Sequence, residues 1–358
     1  MIWLTVLVFV GLLLVLVLVH ELGHLLAAKR AGCNVEEFGF GFPPRIASKI
    51  WRGTRYSFNL IPLGGFVKIE GEDMAEQAPG PGSFATKSAP WRIFILAAGV
   101  IMNVILAAVL FTWQGVIGVP TVVTAETAAS LDNQLTYIVE VVDESPAAAA
   151  GVTAYDRIVS IGGIEQPTIE QVTTTIGATL GEELSLELDR QGVREQITIV
   201  PRVDPPEGEG ALGVSLLATG ITKIPVWQAP WHGITRTWDM TAAIVTQFWE
   251  IGGRLVREGS AGETLTGPVG IAIYTNEATK LGLTYVLEFG ALISLNLALI
   301  NILPIPALDG GRILFVFIEL IIRRPVPGKV EQTAHTVGFV ALIGLMLLVT
   351  WRDIIRFF

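Results

Sequence analysis

The chain has 358 residues, of which 51% are apolar and only 16% are charged, and its mean hydropathy is +0.58. Ordinary soluble domains carry about 25% charge, so there is too little polar surface here to clothe a simple cytosolic globule, and a multi-spanning membrane protein is the expected class. A net charge of −9 argues against a basic nucleic-acid face, and the single cysteine, Cys33, excludes an internal disulfide.

The first element, Ile2–Val19, is uncharged and long enough to begin a span. It lacks a basic leader and a small-residue cleavage site, so it is read as an anchored helix and not as a removed signal. At its inner end stands His20-Glu21-Leu22-Gly23-His24. On a helix, positions i and i+4 share a face, so both imidazoles reach one Zn²⁺, with Glu21 beside them to accept a proton from an attacking water. A Glu and two His at membrane depth are expensive and point to function.

The loop Lys29–Arg92 holds nine basic residues. Within it, Tyr56–Ile69 reads as strand, Pro-Gly-Gly turn and strand, a hairpin of about 54–72. Residues 72–88 read as loop. Ile93–Gly118 is an uncharged second span.

Glu126–Lys280 carries 9 Lys/Arg against 21 Asp/Glu, and so forms a separate aqueous region. Thr136–Val142 reads as a strand, Ser145-Pro146 opens a short Ala-rich helix, Asp156–Ile164 is strand and turn, Thr168 starts a helix, and 184–190 with 196–200 alternate as paired strands. Together they make a small α+β module. Trp227–Glu258 has apolar and tryptophan positions three to four apart, as in a helix lying at a membrane interface or packed on the module.

The third span, Phe289–Leu308, ends in Asn301-Ile302-Leu303-Pro304-Ile305-Pro306-Ala307-Leu308-Asp309-Gly310-Gly311-Arg312. Two prolines break the helix there, and broken helices inside a membrane line cavities. A third zinc ligand is needed, and His232, His335 and Asp309 are the candidates. Asp309 is the best of them, because spans one and three run the same way and place HExxH and Asp309 at similar depth. Arg323, Arg324 and Lys329 follow, then the fourth span, Thr336–Trp351. Basic short loops stay cytoplasmic, so both termini and the acidic middle are expected outside the inner (plasma) membrane, with the site towards the cytoplasmic side.

These stretches together resemble the site-2 protease family of intramembrane zinc metalloproteases, in its bacterial RseP type. The similar segments are HELGH (20–24), FGFG (38–41), NLIPLGGFVKIEGE (59–72), SPAAAAGV with DRIVSIGG in the middle, GPVGI (267–271) and NILPIPALDGGR (301–312). The resemblance implies a polytopic α-helical membrane protein of about four transmembrane helices, with a membrane re-entrant β-hairpin and an extracytoplasmic α+β PDZ domain. The implied organisation is a membrane part over 1–125 (spans 2–28 and 91–118), a PDZ domain over 126–220, an amphipathic region over 221–282, and a second membrane part over 283–358 (spans 284–322 and 333–352).

It further implies Zn²⁺ on His20, His24 and Asp309, with Glu21 as general base. Asn301, Asn59, Gly64 and Gly65 would bind substrate, and Leu212-Gly213, in Ala211–Val214, would form the carboxylate-binding turn of a circularly permuted PDZ domain. The chain has room for one PDZ domain where the RseP type has two. Substrates implied are transmembrane proteins such as anti-sigma factors or signal-peptide remnants, cleaved within the lipid bilayer. Two rivals are a non-catalytic PDZ-bearing membrane scaffold, which needs no zinc, and a zinc transporter, for which no second ligand set appears.

Overall fold

The computed structural model describes residues 2–72, 80–123, 132–190, 192–206, 208–258 and 266–357. The expected domain boundary at 125/126 and part of the 72–88 loop lie outside them. In chain order the elements are α1 (Ile2–Arg30), β1 (Val35–Trp51), β2 (Thr54–Ile69), α2 (Ala89–Ile117), β3 (Val119–Val122), β4 (Asp132–Val141), α3 (Pro146–Ala149), β5 (Arg157–Ile161) and β6 (Ile164–Glu165). There follow α4 (Ile169–Ala178), β7 (Leu184–Arg190), β8 (Val193–Ile199), β9 (Val214–Thr222), α5 (Ala229–Glu258), α6 (Pro268–Leu281), α7 (Leu283–Ile302), α8 (Asp309–Ile322) and α9 (Gly328–Phe357). They fall into two units, Met1–Gln114 with Val226–Phe358, and Gly115–Pro225.

In the larger unit, α1, α2, α7 and α9 are each long and apolar enough to cross a membrane. At about 1.5 Å per residue, the 29 residues of α1 exceed a hydrocarbon core of roughly 30 Å. Large apolar side chains face outwards, among them Leu7 on α1 and Leu347 and Leu348 on α9. Water would penalise such faces, whereas lipid tails solvate them. The expected span over 284–322 is two helices. α7 stops at Ile302, residues 303–308 are non-helical, and α8 restarts at Asp309.

The inner face of α5 closes a core with α2 and α7 through Phe111, Ile244, Ala291 and Leu295. Its other face exposes Trp231, Ile234, Trp238 and Trp249. The GPVGI segment also has a structural task. Asp353 of α9 accepts hydrogen bonds from the amides of Gly267 and Gly270 at 2.9 and 2.8 Å, capping the otherwise open N-terminus of α6.

β1 and β2 pair differently from the simple hairpin expected over 54–72. Phe38 faces Tyr56 on one side and Val67 on the other, so the first half of β1 lies between the two halves of β2. Ser48 and Lys49, from the second half of β1, pair with Ser57 and Tyr56 from outside. The sheet therefore has four segments, ordered 65–69, 35–40, 55–58 and 47–51. The strand segments around the Pro-Gly-Gly turn do not pair with each other. Gly39 of FGFG sits under the Phe66 ring, where a Cβ would collide, and Asn59 fixes the bend in β1 by donating to the Gly41 carbonyl at 3.0 Å.

The smaller unit is a seven-stranded antiparallel sheet ordered β3-β9-β4-β5-β7-β8, with β6 on β5. Its core joins Ile138, Ile158, Ile161, Val172, Leu186, Leu188 and Leu212. Ser145 caps α3, and Thr168 with Gln171 forms a capping box on α4. Strand β3 was not apparent in the sequence. It runs antiparallel to β9, with Val119 opposite Thr222.

Candidate metal centre

His20 and His24 lie one helical turn apart on α1, so their rings share a face, with Nε2 atoms 3.2 Å apart. Asp309 opens α8 immediately after the break. Its Oδ2 is 3.2 Å from His20 Nε2 and 3.4 Å from His24 Nε2. The three side chains are 11–18% exposed.

Three acceptor atoms this close repel one another unless a cation or a shared proton lies among them. Zinc bonds to imidazole nitrogen and carboxylate oxygen are about 2.0–2.2 Å, which sets tetrahedral ligand–ligand edges near 3.4 Å. The observed triangle has that size. The buried Asp309 Oδ2 also lacks a hydrogen-bond donor. His₂Asp is a donor set suited to Zn²⁺ with a position left open, so the residues fit the ion.

The rings are held from behind by α2. His24 Nδ1 is 2.8 Å from the Ile95 carbonyl oxygen. A carbonyl only accepts, so Nδ1 carries the hydrogen and the Nε2 lone pair faces the triangle. His20 Nδ1 is 3.2 Å from the side-chain amide of Asn103, a residue with no solvent exposure. The same tautomer at His20 calls for the amide oxygen of Asn103 to face Nδ1, and that oxygen otherwise has no partner. Between them stands Gly99, at which a Cβ would collide with both rings. Ile95, Gly99 and Asn103 thus form an i, i+4, i+8 stripe. None was picked out from the sequence, although an uncompensated Asn inside an apolar span was the available signal.

Glu21 lines the same cavity of about 370 Å³, together with Gly65–Ile69, Ala307–Asp309 and Arg312. A Cβ on Gly65 would lie 3.2 Å from Glu21 Cγ, so glycine there lets strand and carboxylate approach. Segment 65–69 is the outermost of its sheet, and no strand among the described residues pairs with its other side. Arg312 forms an ion pair with Glu72, just beyond that segment.

The other sequence candidates sit elsewhere. Asn301 is on the last turn of α7 and does not line the cavity. Asn59 is buried within the sheet, and Gly64, at φ +97, packs by the Phe42 ring. Leu212 belongs to the core of the smaller unit, and Gly213 makes a tight turn whose amide donates to the Gly210 carbonyl. His335 receives the Ala307 amide and His232 lies on α5; neither joins the triangle.

The model of peptidase family M50 matches residues 8–345. The chain is 30% identical to the zinc metalloprotease RasP of Geobacillus kaustophilus, with 96% of each covered. It is 31% identical to the regulator of sigma-W protease RasP of Bacillus subtilis, with 99% of each covered. A putative zinc metalloprotease of Clostridium perfringens is 33% identical, with 95% of each covered.

Proposed function

This chain belongs to peptidase family M50 and is an integral membrane zinc metalloprotease, and we propose that it hydrolyses peptide bonds inside the transmembrane segments of single-pass proteins. The enzyme assignment sets aside the scaffold reading. The observation that carries the proposal is one cavity walled by the His20–His24–Asp309 triangle, Glu21 and the outermost sheet segment 65–69, on whose other side no strand among the described residues pairs.

His20 Nε2, His24 Nε2 and the Asp309 carboxylate would hold Zn²⁺, which when bound supplies Lewis acidity to the scissile carbonyl. Glu21, on the same helical turn, takes a proton from the attacking water and returns it to the leaving amine nitrogen. A helix hides its amides, so a substrate segment must unwind before attack. The outer edge of 65–69 offers main-chain partners to the unwound stretch, which becomes an added strand. Gly65 brings that strand to Glu21, while Asn59 acts indirectly by fixing the bend of the sheet that presents it, Gly64 by turning into that strand, and Asn301 by standing at the helix break before Asp309.

The unit 115–225 serves as a single permuted PDZ domain, with Leu212-Gly213 at its carboxylate turn, filtering substrates by size or tail. The tryptophan face of α5 rests at the membrane interface. Both termini and this domain face outside, and the centre lies towards the cytoplasmic side. The sigma-W regulator named among the relatives favours anti-sigma factors as substrates, with signal-peptide remnants as the second class.

The test is Glu21→Gln in purified protein with a model transmembrane substrate. Cleavage should fall by at least about a thousandfold while zinc content is retained. Cleavage at the parental rate would refute the mechanism.

A further inference from the structure

The loop that delivers Asp309 to the triangle does not hold its shape unaided. Ala307, two residues before Asp309, has φ +79, a conformation that side-chain-bearing residues seldom adopt. Its amide takes no partner in the helices on either side. It donates instead to His335 Nδ1 at 2.7 Å, across 28 residues of chain. His335 lies on α9, which contributes no member of the triangle. Its ring also rests 5.6 Å from that of Phe315 on α8. One turn further along α9, Gly338 admits the backbone of Pro306, where a Cβ would clash. The loop is therefore seated on α9 at two adjacent points.

An amide N–H only donates, so Nδ1 of His335 is the acceptor and the hydrogen of the neutral ring sits on Nε2. That atom points towards Glu331 Oε1, 3.7 Å away. The sequence offered His335 as a zinc ligand; the geometry gives it another task.

We propose that His335 is a positioning residue for the metal centre. By accepting the Ala307 amide it keeps the loop in the left-handed conformation from which Asp309 reaches His20 and His24. The proposal rests on Asp309 being a zinc ligand. A packing role alone would require only the volume of the imidazole, whereas this role requires an acceptor at the place of Nδ1.

The experiment uses the full chain in lipid nanodiscs and reads Zn²⁺ affinity by chelator competition, kcat and KM on a transmembrane substrate, and the melting temperature. Asn offers its oxygen near the place of Nδ1, whereas Gln reaches the place of Nε2. His335→Ala and His335→Gln should weaken zinc binding about tenfold or more and lower kcat more than KM, while His335→Asn stays within about threefold of the parent. Glycine adopts positive φ freely, so the loss caused by His335→Ala should shrink when measured in an Ala307→Gly background.

Parental zinc affinity in His335→Ala would overturn the proposal. So would a loss that neither Asn nor the Ala307→Gly background reduces, since that is the signature of packing alone. Asp309→Ala separates this from the underlying assignment. If it binds zinc like the parent, the ligand assignment fails. If it loses zinc and His335→Ala does not, only the positioning role fails.

Discussion

Gly99 of α2 lies against the imidazoles of both His20 and His24, so closely that a single Cβ would strike His24 Nε2 and His20 Cε1. The pair of rings thus has a wall as well as a sequence spacing. The wall is a helix that supplies no ligand.

A substitution at that wall should act on metal first. Gly99→Ala pushes both rings off their positions, and zinc affinity should fall about 10–100-fold with proteolysis falling in step. Zinc content after dialysis against a graded chelator checks this, and a metal-replete, active Gly99→Ala would show that the rings tolerate displacement.

Asn103 separates the donor and acceptor descriptions of its amide. If its oxygen accepts from His20 Nδ1, Asn103→Asp should hold zinc within a few-fold of the parent and Asn103→Leu should lose about 10–100-fold. Equal losses in both would place the amide nitrogen at His20 and demand the other tautomer.

Gly65 predicts the opposite pattern. A Cβ there meets Glu21 Cγ, Val17 Cγ1 and the Gly39 carbonyl at 3.2–3.3 Å. Gly65→Val should leave zinc content unchanged and reduce kcat by about tenfold or more, because the general base is displaced while the ligands are not. Side-by-side metal analysis and single-turnover cleavage distinguish it from Gly99→Ala.

The smaller unit has its own pH dependence. Burial of Asp156 opposes its ionisation, but the Arg190 guanidinium, at 2.7 and 2.8 Å, and the Thr153 amide outweigh it, so the carboxyl titrates below its ordinary value. The unfolded chain then binds that proton more readily than the folded one. The stabilisation is complete above the unfolded value of about 3.9 and is lost as pH falls through the lower native value. Peptide-resolved hydrogen exchange over 151–157, corrected for intrinsic rates, should show protection collapsing only in that acid range. Asp156→Ala should lower protection by roughly 2 kcal/mol already at neutral pH.

Much of this architecture can be read locally. Uncharged runs mark the four long apolar helices, because charge at membrane depth is costly. The i, i+4 spacing puts His20 and His24 on one face, and Pro304 and Pro306 announce a break before Asp309. What escapes the sequence is set by distant partners. Nothing in Tyr56–Ile69 says that its two halves flank Phe38 and do not meet each other, since strand register is a property of the sheet. Nothing in α2 says which of its faces touches α1, so Gly99 reads as an ordinary span residue, and Asn103, although a polar group in an apolar span, gives no sign of the ring it faces. The four residues of β3 are a strand only because β9, about a hundred positions later, receives them.

The central claim is that two imidazoles of α1 and the carboxylate of Asp309 hold one zinc ion. Zinc K-edge X-ray absorption of the purified protein measures this directly. The account predicts one zinc per chain, with two imidazole nitrogens and carboxylate oxygen at about 2.0–2.2 Å, and loss of that shell in Asp309→Ala. A parental spectrum lacking paired imidazole scattering, or one unchanged by Asp309→Ala, would contradict it.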